Sequence, residues 1–156
     1  MFPLKFIEKA QFYLTETSKL NWKSSGEVQM TDENYEEGLK NIEKIHPNAS
    51  KALMENLKDI APDLGKFVIE FPYGQIYNRP GLDLKTREIA TVAALTAMGN
   101  AKQQLKDHIH GALNVGCTRE EIVEVIIQMV AYAGFPSAIN GIEAAKEVFE
   151  ELDEDK

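Results

Sequence analysis

Three histidines, one cysteine and a small set of acidic, arginine and tyrosine side chains are the groups in this 156-residue chain able to move protons or charge. Most of them fall in one stretch, Phe71 to Pro136, FPYGQIYNRPGLDLKTREIATVAALTAMGNAKQQLKDHIHGALNVGCTREEIVEVIIQMVAYAGFP. His108 is the first candidate. It follows Leu105 by three and precedes Ala112 by four, which puts it on the edge of an apolar helix face formed with Ile109 and Leu113. Imidazole exchanges protons near neutral pH, so an edge histidine can be a general acid or base, or a satisfied structural residue. Glu88 begins another helix with Thr91 and Leu95 on its side. Such a carboxylate can pair with a histidine and fix its tautomer, or simply complement a helix dipole. Arg79 and Arg87 can grip a substrate carboxylate through the guanidinium fork, or form surface ion pairs. Tyr73 and Tyr77 can donate a phenolic hydrogen bond into a pocket, or pack.

Other chemistries lack their residues. His108 and His110 are two apart and point in different directions on a helix, so the pair cannot share a metal ion. No HExxH, CxxC, GxGxxG or GxxxxGK motif occurs. Cys117 lies near a helix start, where a thiolate is stabilised, but it has no resolving partner and reads as a small loop residue. His46, next to Pro47, reads as a residue capping a helix C-terminus.

Positioning these groups falls to helices. Phe6, Ile7, Ala10, Tyr13, Leu14 and Thr17 recur at helical spacing within residues 4–20. That helix is either a docking arm for a partner subunit or a helix packed on its own domain. Asn21 to Gln29 reads as a loop. Thr31 or Asp32 caps a helix to about His46, and 49–60 form a short one. Pro62 opens a helix carrying Leu64, Phe67, Val68 and Phe71 towards Tyr77, and Pro72 either kinks it or ends it at Phe71. After the turn at 79–81, Asp83 caps a helix from Leu84 to Met98. Its small residues suggest a central position, and Gly99 ends it. Next come Ala101–Val115, then Arg119–Ala133 behind the capping box Thr118-Arg119-Glu120-Glu121, then Ser137 to about Leu152 after a break at Gly134-Phe135-Pro136. The Arg119–Ala133 helix is apolar on most sides, which favours burial against another subunit.

Composition bounds the rest. The chain is long enough for one domain with its own core, and 44% hydrophobic residues exclude a disordered chain. A formal charge of −8 argues against nucleic acid and anionic membranes as partners. Lys5, Glu8 and Lys9 interrupt the first apolar stretch, so no signal peptide or transmembrane helix is expected, and a cytoplasmic location is.

YGQIYNRPGLDLKTREIATVAALTAMG, QLKDHIHGALNVGCTREEI and YAGFPSAINGIEAAKEV together resemble the carboxymuconolactone decarboxylase family, over about Asp32 to Glu150. The chain thus divides into an N-terminal extension and linker, 1–30, and a helical domain, 31–156. The resemblance implies an all-α multi-helix bundle of the alkylhydroperoxidase D-like type, without cofactor, assembled as a trimer or hexamer. The family's L-x-x-H-x-x-x-A-L-N histidine falls on His108 and its R-E acid on Glu88. It implies a carbon–carbon lyase acting on a small carboxylated lactone or related acid. His108 would supply the proton, Glu88 would orient it, and Arg79, Arg87, Tyr73 and Tyr77 would be the substrate contacts. The superfamily also holds disulfide reductases with peroxidase activity. Their CxxC positions fall on about Ala101 and Gln104, neither a thiol. A non-catalytic ligand-binding protein is the other rival.

Overall fold

The computed structural model describes residues 32–154. They form seven α-helices and one π-helical segment, with no strand among the described residues, so the all-α expectation holds. The helices are α1 (Asp32–Ile45), α2 (Ala49–Leu57), α3 (Pro62–Val68), α4 (Leu84–Met98), α5 (Lys102–Asn114), α6 (Arg119–Gln128) and α7 (Val130–Glu154). The π segment, Ile69–Ile76, continues α3 directly. The helix expected over 4–20 and the loop after it lie outside the described residues.

The start and stop signals act as their chemistry requires. The Asp83 carboxylate accepts from Thr86 N at 2.7 Å, and Gly99 closes α4 at φ 71°. Thr118 and Glu121 form the reciprocal capping box that opens α6. Pro62 sits in the first turn of α3. Helix 49–60 stops earlier than expected, at Leu57, and Ile60 N and Ala61 N both turn back to Leu57 O.

Two boundaries differ more. The helix expected to reach Ala133 stops at Gln128; a short turn from Val130 follows, and the final helix resumes beyond Gly134, slightly before the expected Ser137. Tyr132 N and Ala133 N both bond Met129 O, so one turn of helix precedes the break. The break itself is where expected: Gly134 at φ 81°, ψ 168° leaves the helical region. Pro72 neither ends its helix nor breaks it. Proline lacks an N–H and its ring crowds the carbonyl four residues back, and widening to π pitch accommodates both. Tyr77 N donates to Pro72 O, five residues back, at 2.9 Å.

Helix α4 packs against α5, α6 and α7, which makes it central. The face that does this is Glu88, Val92 and Thr96; Ala90, Ala94 and Ala97 point outwards. Val92, Leu105, Ile109, Ile122, Ile126 and Val148 anchor one core cluster. Ile42, Ile45 and Tyr73 anchor a second, beneath α1 and the π segment. Gly38 and Gly74 join α1 to the π segment: an added Cβ would lie 2.2 Å from Ile69 O and 2.1 Å from Asn34 O, respectively. The two backbones therefore touch. The seam between the clusters is where the ionisable groups meet.

Candidate active site

His108 projects from α5 towards α4, and its Nδ1 lies 2.8 Å from Glu88 Oε2. Glu88 is fully buried, while the His108 side chain keeps 19% of its surface exposed. A carboxylate only accepts hydrogen bonds, so it holds a proton on Nδ1 and leaves Nε2 as the ring nitrogen offered outwards. The other Glu88 oxygen, Oε1, accepts from the Tyr77 hydroxyl at 2.7 Å, and that hydroxyl lies 3.3 Å from Thr91 Oγ1. Both carboxylate oxygens are thereby satisfied, as a buried charge requires.

The π segment aims the tyrosines. Its wider turns set Tyr73 and Tyr77 side by side, ring centroids 5.2 Å apart. The buried Asn41 amide from α1 donates to Tyr73 O at 2.9 Å and to Asn78 Oδ1 at 2.8 Å, and Asn78 donates to Gly74 O at 2.7 Å. These amides satisfy carbonyls that the irregular turn frees. Burial first, then the Glu88 charge, pushes both phenols above their ordinary range, so each stays a donor at neutral pH.

The expected residues do not all converge. His108, Glu88, Tyr77 and Tyr73 form one connected group. Arg87 is buried on the far side of Tyr77, its guanidinium 5.8 Å from that ring and donating to Arg79 O at 2.7 Å. Its Nε has no hydrogen-bond partner among the described residues. An open cleft of about 720 Å³ is lined by His108 and Tyr73 together with His46, Gln104, Asp107 and His110. Arg79, Arg87 and Tyr77, three of the four residues expected to contact substrate, do not line it. His110 stands at its edge, 3.5 Å from Glu151.

His46 is the residue that sequence reasoning misplaced. It does follow the last turn of α1, but its ring turns into the cleft and packs edge-on against His108, centroids 5.1 Å apart and planes at 83°. Burial, then the neighbouring His108, pushes its pKa below the ordinary 6.5, so it is not the protonated dipole partner expected of a cap. Nothing in linear spacing joins residue 46 to residue 108; the packing of α1 on the π segment and on α5 does. One donor atom each from His46, Glu88 and His108 lie within 4.8 Å of one another, the grouping among the described residues with the atoms to hold a metal ion. Glu88 would have to exchange a hydrogen bond for the ion. Cys117 is buried, and burial pushes its thiol up despite the nearby helix start.

A helical bundle with a histidine–carboxylate pair at the wall of a cleft is a scaffold for acid–base work on a small molecule. The model of the carboxymuconolactone decarboxylase family matches residues 62–147, and the chain belongs to that family. The 4-carboxymuconolactone decarboxylase of Acinetobacter baylyi is 35% identical over 128 residues, 79% of this chain and 92% of that protein. An uncharacterised 15.0 kDa protein of Paracoccus denitrificans is 36% identical over 103 residues, 65% of this chain and 77% of its own length. A nitrosuccinic acid decarboxylase of Metarhizium robertsii is 34% identical over 77 residues, 49% of this chain and 53% of that protein. The matched family span holds Tyr73, Tyr77, Arg79, Arg87, Glu88 and His108, and leaves His46 outside.

Proposed function

We propose that this chain is a decarboxylase of a small carboxylated lactone or related acid, working without a cofactor, with His108 as proton donor or relay. The observation that carries this reading is the His108–Glu88 pair at 2.8 Å, with its ring on the cleft. Two relatives with decarboxylase names support the reaction class. The bond from the substrate carboxylate to a carbon conjugated with a carbonyl breaks, carbon dioxide leaves, and the electron pair runs to the carbonyl oxygen as an enolate. His108, carrying a solvent-derived proton on Nε2 besides the one that Glu88 holds on Nδ1, delivers the Nε2 proton to carbon, returns to the neutral Nδ1–H form and takes a new proton from solvent. Glu88 holds Nδ1 and so keeps Nε2 facing the reacting carbon. Tyr77 fixes Glu88, and Tyr73 offers its hydroxyl to the ligand. Neither Arg79 nor Arg87 lines the cleft, so their proposed contact with a substrate carboxylate requires a ligand that reaches past Tyr77.

Exposed Tyr132, Phe135, Ile139 and Ile127 on α6 and α7 support a homo-oligomer, because such a group of apolar side chains marks an interface. A disulfide reductase needs an accessible low-pKa thiol; the buried Cys117, its thiol pushed up, supplies none. Carbon dioxide release from a panel of carboxylated lactones tests the proposal. Turnover by wild type and a loss of about 10²–10⁴-fold in His108→Gln is the expected result. Saturable binding without product from the whole panel would favour a ligand-binding protein instead.

A further inference from the structure

The cleft wall carries a second imidazole that the reaction as described does not use. His46 enters from α1, outside the span matched by the family model. No group among the described residues hydrogen-bonds to its ring, although its backbone N is tied to Ile42 O at 2.6 Å. Half-buried on the cleft wall, its ring nitrogens are open to a ligand in the cleft.

Helix α5 is built to hold it. Gly111, one turn after His108, lies under the His46 ring: a Cβ there would meet His46 Cε1 at 2.5 Å and Glu88 Oε2 at 3.0 Å. One turn further, Asn114 Nδ2 donates to Ile45 O at 2.9 Å, fixing the backbone beside His46. The same helix thus presents the proton donor and reserves the place of the second ring. With the two planes nearly perpendicular, their nitrogens address a ligand from different directions.

We propose that His46 is a second catalytic residue, a neutral imidazole that donates its N–H to the carbonyl oxygen on which negative charge collects as carbon dioxide leaves. This rests on the decarboxylase reading above. The division of labour follows from charge. A donor that stays neutral stabilises the enolate oxygen without surrendering its proton to it, whereas His108 must give its proton to carbon. Burial beside His108 disfavours a second positive charge at His46, in keeping with the neutral role. Atoms balance: substrate carboxylate plus one proton from His108 yields the decarboxylated product and carbon dioxide, and His46 ends as it began.

Two measurements test this. First, kcat and KM for carbon dioxide release are compared in wild type, His46→Phe and His46→Gln, with folding checked by thermal melt. An N–H donor role predicts a fall in kcat of about 10²–10³-fold in His46→Phe, with little change in KM. It also predicts substantial recovery in His46→Gln, whose amide donates but does not carry protons. Equal damage in both variants, or none in His46→Phe, overturns the assignment. Loss of wild-type activity on treatment with a chelator, restored by a divalent ion, also overturns it, because His46 would then be a metal ligand. Second, infrared spectra are taken of a simple butenolide, which has no carboxyl group to lose, bound to wild type and to His46→Phe. The carbonyl band should lie at lower frequency in wild type than in His46→Phe, which keeps the Tyr73 hydroxyl; a bound-state band at the same position in both contradicts the inference. Because this probe needs no turnover, the outcomes separate. A lower band in wild type without carbon dioxide release from any carboxylated lactone defeats the decarboxylase reading alone, and release with the band at the same position in both proteins defeats the His46 role alone.

Discussion

Glu88 carries no exposed surface, and its charge is tolerable only because His108 and Tyr77 each donate to one of its oxygens. Tyr77→Phe removes one donor and leaves Oε1 dry and unpaired. A loss of stability of about 1–3 kcal/mol is expected in denaturant unfolding, with slower turnover as Glu88 loses its fixed orientation. Unchanged stability would mean that the carboxylate does not depend on the phenol. His46 gives a pH signature. Its imidazole faces His108, Glu88, Asp107, His110 and Tyr73 and is held below 6.5, while in the unfolded chain it charges near its ordinary value. The unfolded state therefore takes the proton first, so this residue's contribution to stability is complete above about pH 6.5 and erodes as pH falls below it. Melting temperatures from pH 7 to 5 should drop more steeply in wild type than in His46→Phe; equal slopes would contradict the burial argument. The pairing of Glu88 with His108 was legible in sequence through the edge position of one and the resemblance that marked both. His46 was not, because a histidine before a proline at a helix end has the same local pattern whether it caps or lines a cleft.

At the scale of the element, the segment from Ile69 to Ile76 decides whether the tyrosines reach Glu88. Pro72 announced an irregularity, but kink, termination and π pitch are alike in sequence; the choice comes from tertiary contacts. Asn41 on α1 satisfies Tyr73 O, and Gly38 and Gly74 let the two backbones meet. Gly74→Ala would drive a methyl group into Asn34 O, whose backbone cannot step aside as a side chain does. The expected outcome is a destabilisation of about 1–3 kcal/mol in denaturant unfolding together with lost activity, since the displaced segment carries Tyr73 and Tyr77. Retained stability with full turnover would show that α1 and the π segment are not registered by this contact. The caps at Asp83, Gly99 and Thr118 were readable because each rests on a local hydrogen bond or a left-handed φ. The α6–α7 boundary was not, because one further helical turn lies between Met129 and Gly134.

For the whole molecule, helical periodicity was enough to foresee an all-α bundle, and the strongly apolar Arg119–Ala133 stretch pointed to a surface needing cover. Ile127 at 49% and Tyr132 at 76% exposure place that surface across α6 and α7. A homo-oligomer is expected in light scattering at micromolar concentration, and Tyr132→Glu combined with Phe135→Glu should shift it to smaller species. A monomeric wild type would remove the oligomer proposal.

The central claim is that one imidazole, oriented by a buried carboxylate, completes a decarboxylation by protonating carbon. Its most direct test is turnover of carboxylated lactones in deuterium oxide by wild type and His108→Gln, following carbon dioxide and the isotope at the product carbon. Wild type should release carbon dioxide and place one deuteron on a carbon of the enolate system, with His108→Gln slower by about 10²–10⁴-fold. Undiminished turnover in His108→Gln, or no carbon dioxide from wild type with any of the lactones, would contradict it.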